Sequence, residues 1–143
     1  MMRRITLTLV IVALLGATGG LAEGEGARAP TCGSLSLGPG ALTGHAGGGA
    51  TCLLRASQQH CRRAVYRLSV FGVDTVAVST FATVGRAGHC EVALARTFRV
   101  VPQPPRPQGR GYCRTLRREG TAIVAEGCSG GGLPTRVYLT SPG

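Results

Sequence analysis

The chain has 143 residues, 43% hydrophobic but only 4% aromatic, and its 16 cationic side chains, all arginine, face 6 acids. That length fits one domain, and a domain with so few large side chains often needs covalent help to hold its core. The formal charge of +10 favours acidic surfaces as partners, yet no fold-specific nucleic-acid motif accompanies it, so no specific nucleic-acid partner is expected.

In chain order, Arg3 and Arg4 precede the apolar run Ile5 to Leu15, and Gly20-Leu21-Ala22 supplies small residues before Glu23. This is the three-part pattern of a secretory signal peptide over residues 1–22. The apolar run falls short of the ~20 residues that span a bilayer. A secreted chain with no transmembrane segment after cleavage is therefore expected. Residues 23–143 keep 14 arginines against 6 acids. Arginine to the exclusion of lysine, beside 23 glycines, is also what the codon usage of a GC-rich genome writes.

Residues 23–49 are Gly-rich and read as a flexible lead-in tied down at Cys32. The spacing of Ala50, Leu53, Leu54, Ser57, Cys61 and Ala64 predicts a helix over Ala50 to Ala64. A strand period follows. Tyr66, Leu68 and Val70 alternate with Arg67 and Ser69, Gly72-Val73-Asp74 makes a turn, and Thr75 to Val84 is rich in β-formers. Gly85 to Gly88 is the next turn. Val92, Leu94, Phe98 and Val100 then share one face of a strand over Cys90 to Val101, which Arg96 interrupts in the manner of a sheet edge. Pro102 to Gly109 reads as an extended connector. Tyr112 to Leu116 and Thr121 to Ala125 form a hairpin, Gly130-Gly131-Gly132 a loop, and Arg136 to Thr140 a last edge strand. The expected fold is α+β, disulfide-stabilised, with one helix packed on an antiparallel sheet of about five strands over residues 50–143.

Six cysteines in an exported chain read as three disulfides. On a helix, Cys52 and Cys61 would stand ~13.5 Å apart, beyond the ~7 Å that bridged Cα atoms allow. Cys61 shares the apolar face and looks at the sheet, where Cys90 opens a strand. Cys52 looks away, towards Cys32. Cys113 and Cys128 flank one hairpin. The expected pairing is Cys32–Cys52, Cys61–Cys90 and Cys113–Cys128.

The inventory for catalysis is thin. Asp74 is the only aspartate and sits in a turn; no nucleophile motif, phosphate loop or carboxylate pair is visible. His60-Cys61 and His89-Cys90 form two His-Cys pairs that would offer zinc ligands, but an oxidising compartment consumes the thiols first, and neither metal nor cofactor is expected. Arg62, Arg63 and Arg67 cluster where helix meets strand and are the candidate residues for an anionic partner.

The order Cys52-x8-Cys61, Phe71-Gly72-Val73-Asp74-Thr75, Cys90, a Pro-rich link, Tyr112-Cys113 and Gly127-Cys128 resembles small secreted bacterial disulfide-containing domains over residues 50–130. The resemblance implies a secreted, disulfide-held fold and carries over no functional residue. Gly44-His45 before Cys52 and the helix is similar to secreted bacterial subtilisin inhibitors, although the cysteine spacings and strand order depart from them. The expected function is non-catalytic binding of an extracellular or cell-surface partner, a protein or an anionic polymer. The alternatives are a protease inhibitor and a metal-binding protein using His60 and His89.

Overall fold

A computed structural model describes residues 31–38 and 48–140. The expected signal peptide, His45 and most of the Gly-rich lead-in lie outside the described residues. The elements in order are β1 (Thr31–Leu37), α1 (Gly48–Gln58), β2 (Val65–Phe71), β3 (Thr75–Arg86), β4 (His89–Val100), β5 (Arg106–Cys113), β6 (Thr115–Glu119), β7 (Ala122–Glu126), β8 (Ser129–Gly131) and β9 (Arg136–Tyr138). The described residues are mostly sheet with one short helix. In place of a single sheet of about five strands there are two, a six-stranded one ordered β1-β2-β3-β4-β5-β8 and a three-stranded one ordered β6-β7-β9.

Alternation builds the large sheet. β2 and β3 pair so that Tyr66 faces Phe81 and Arg67 faces Thr80. A period of two therefore sends Tyr66, Leu68, Phe81, Val92 and Leu94 to one face, where they are buried. The Tyr66 and Phe81 rings stack at 6.1 Å between centroids. α1 lies on that inner face and contributes Ala50, Leu53, Leu54 and Ala56. Leu116, Ile123, Ala125 and Leu139 of the C-terminal part complete the core. Tyr66 Oη donates to the Leu139 carbonyl at 3.2 Å, and burial pushes its pKa up, so it remains a neutral donor.

Several elements depart from the sequence reading. Thr31–Leu37, within the stretch read as a lead-in, is a strand paired in parallel with β2, with Leu35 opposite Leu68 and Leu37 opposite Val70. The expected sheet was antiparallel throughout. α1 stops at Gln58 because His60 and Cys61 take left-handed backbone, with φ of 53° and 51°, which no α-helix continues.

Arg96 lies inside the sheet and not at its edge. It stands opposite Ser79 on β3 and Gly109 on β5, so it is paired on both sides. The Pro-rich connector is half strand. β5 starts at Arg106, and Pro107 is placed where the register shifts between Arg96 and Thr97, an irregularity that tolerates a missing N–H. The expected strand Tyr112 to Leu116 is divided at Arg114 between the two sheets, and Ser129–Gly131 pairs with β5 instead of looping.

Candidate anion-binding sites

Covalent links fix the frame. Cys32–Cys52, Cys61–Cys90 and Cys113–Cys128 are bonded, with Cα atoms 5.5, 5.2 and 3.8 Å apart, and no described cysteine is free. The first ties β1 to α1, the second ties the segment after α1 to the start of β4, and the third joins β5 to the chain entering β8. The loops they close span 20, 29 and 15 residues, and closures of that size stabilise by roughly 3–4 kcal/mol each in the loop-entropy model.

The segment leaving α1 carries Arg62 and Arg63. Its backbone is held by Thr83 on β3: the Thr83 hydroxyl accepts the Ala64 amide at 2.8 Å and donates to the Arg62 carbonyl at 2.5 Å. The Arg62 amide in turn donates to the Ala56 carbonyl at 3.0 Å. Arg62 and Arg63 line a hollow of about 260 Å³ together with Arg55, Gln59 and the Cys32–Cys52 bridge. Among the described residues no carboxylate lines it.

Arg67 lies elsewhere. Its neighbours Tyr66 and Leu68 are buried on the side of α1, so Arg67 projects from the outer face of the large sheet. There it lines a second hollow, about 270 Å³, with Ser69, Phe71, Val76, Val78, Thr97, Arg99 and Pro105. The structure thus brings Arg62 and Arg63 together, adds Arg55, and separates Arg67 from them. Helical spacing turns Arg55 to solvent, off the face of Leu53 and Leu54. Arg99 has no such signal, because only the β3–β4 register, which sets Arg99 opposite Val76, places it there.

Among the described residues every ion pair falls on Arg86, Arg117 or Arg136. Arg117, Glu119, Glu126 and Arg136 form one network across the small sheet. The other described arginines, those of both hollows included, have no carboxylate partner.

His60 and His89 are exposed, and the adjoining Cys61 and Cys90 are bonded to each other. Among the described residues no group of three or more His, Cys, Asp or Glu side chains could hold a metal ion, and no helix is long and apolar enough to cross a membrane. Asp74 occupies the β2–β3 turn, where its carbonyl accepts the Val101 amide at 2.8 Å. Compared with known proteins, the chain matches no family model, no curated protein and no solved structure.

Proposed function

We propose that the chain is an exported, non-catalytic binding domain whose arginines at the C-terminal end of α1 take an anionic polymer of the cell surface or its surroundings. One observation carries this reading. Arg55, Arg62 and Arg63 converge on a single hollow with no carboxylate among the described residues to neutralise them. Their positive field attracts a polyanion at long range. Two disulfides and the Thr83 hydrogen bonds fix the backbone beneath them, so little order is lost on binding. Export is supported by the signal-peptide pattern and by three disulfides, which persist in oxidising compartments. The inhibitor alternative gains no support from the hairpin beside Cys90, because it closes through the two residues Ala87 and Gly88 and offers no extended segment.

The test is titration with polyphosphate and with poly-glutamate at several salt concentrations. Binding should weaken steeply with salt, and replacing Arg55, Arg62 and Arg63 together by Ala should weaken it about tenfold or more. Equal affinity in the triple variant, or no binding of either polymer, refutes the reading. Turnover of peptide, ester or glycan substrates by the repurified protein, lost in His60→Ala or His89→Ala, refutes the non-catalytic part.

A further inference from the structure

The outer face of the large sheet carries no covering layer among the described residues, and its two ends are built differently. Near the β3–β4 turn, the cation is already satisfied. Arg86 pairs with Glu91 at 3.1 Å and lies 4.2 Å over the Tyr112 ring. At the other end, Arg67 and Arg99 border the hollow of about 270 Å³ and have no carboxylate partner among the described residues.

What lies between those two arginines is not an ordinary solvated surface. Cross-strand pairing sets Ser69 beside Val78, Val78 beside Thr97, and Phe71 beside Val76. The floor is therefore Val76 and Val78, Ser69 and Thr97 add hydroxyls, and Phe71 and Pro105 form apolar walls. Phe71 is 39% exposed, although it is among the few large aromatic side chains of the domain. A ligand that satisfies this surface needs two properties together. An anionic head meets the guanidinium groups, which hold carboxylate or phosphate oxygens through paired N–H donors. An apolar body covers Phe71, Val76, Val78 and Pro105.

We propose that this hollow is a second site, which binds a small amphipathic organic anion: a carboxylate or phosphate carried on an aliphatic or aromatic body. Its volume, about 270 Å³, lies just under the ~300–1,000 Å³ of drug-sized pockets, which suits a small ligand lying partly exposed. A second copy of the chain is the poorer occupant. Arg67 and Arg99, with Arg110 on the same face, would meet their own like charges across such an interface, a costly arrangement.

The probes are octanoate and octyl phosphate, with acetate, inorganic phosphate and 1-octanol as half-ligands, followed by backbone amide NMR shifts in the intact oxidised protein. Octanoate or octyl phosphate should give saturable shifts centred on Ser69, Val76, Val78 and Thr97, and each half-ligand should bind about tenfold or more weakly. Tighter binding of either head group supports the site and names its anion. Arg67→Gln with Arg99→Gln should weaken binding about tenfold or more, as loss of a charge-assisted hydrogen bond does. Arg118→Gln, on the small sheet, should leave it unchanged, and thermal melts should show both variants folded. No saturation at millimolar octanoate and octyl phosphate overturns the proposal. Unaltered affinity in the folded double variant, or octanol binding as tightly as octanoate, overturns it equally.

Discussion

The Thr83 hydroxyl and the Ala64 amide form a buried hydrogen bond of 2.8 Å that ties β3 to the segment entering β2, and the same hydroxyl reaches on to the Arg62 carbonyl. This side chain therefore helps to place the segment bearing Arg62 and Arg63, beside the Cys61–Cys90 bridge and the Arg62 amide bond to the Ala56 carbonyl. Thr83→Val keeps the shape and removes both bonds, leaving buried polar groups without that partner. The expected loss is about 1–3 kcal/mol, read from urea unfolding, with weaker polyanion binding at conditions where the variant stays folded. An unfolding curve superimposed on that of the parent protein would show that the hydroxyl holds nothing.

Gly49 sits inside α1, where Ala would ordinarily be favoured by up to ~1 kcal/mol. Here a Cβ would come within 2.6 Å of the Cys32 carbonyl and 2.8 Å of the Tyr66 ring. Gly49→Ala should therefore destabilise, by about 1–3 kcal/mol as overpacking does, and a melting temperature raised by this substitution would contradict the packing of α1 on β1 and β2.

The three disulfides differ in access. Cys113 is fully buried and Cys128 is 6% exposed, whereas Cys52 is exposed and Cys32, Cys61 and Cys90 are half-buried. Graded reduction followed by alkylation and peptide mapping should leave Cys113–Cys128 to the last. Early loss of that pair would mean that the junction of the two sheets opens more readily than the burial implies.

Glu126 accepts two hydrogen bonds from Arg117, at 2.6 and 2.9 Å. They hold its carboxyl below the ordinary carboxylate range, against a smaller opposing effect of desolvation. A folded-state pKa below the unfolded one contributes stability above the ordinary range, and that stability is lost as pH falls through the depressed value. Melting temperature should therefore drop on acidification through and below the ordinary carboxylate range, and Glu126→Gln should flatten that drop. Thermal melts across acidic pH, for both proteins, make the comparison.

The disulfide pairing was legible because helix geometry and locality left few choices, although one premise was mistaken: Cys61 stands past the end of α1, in left-handed backbone. Ser57, Cys61 and Ala64 continue the helical spacing, and spacing carries no sign of φ. β1 had a visible signal, since Leu35 and Leu37 alternate with Ser34 and Ser36, but the surrounding glycines obscured it. The basic hollow was read in part, through Arg62 and Arg63. The outer-face hollow was not, because Phe71, Val76, Thr97 and Arg99 come from three strands and meet only through register.

The strand β1 also bears on how the domain behaves in company. Together with β8 it bounds the large sheet, and an open sheet border is a template on which neighbouring molecules can stack into fibrils. Neither border here suits that role. β1 is irregular between Thr31 and Ser34, with Gly33 at φ 85°, and β8 is only three residues long. Among the described residues, the broad outer face of the largest sheet is thus left bare while neither border offers other chains a long, straight strand to extend.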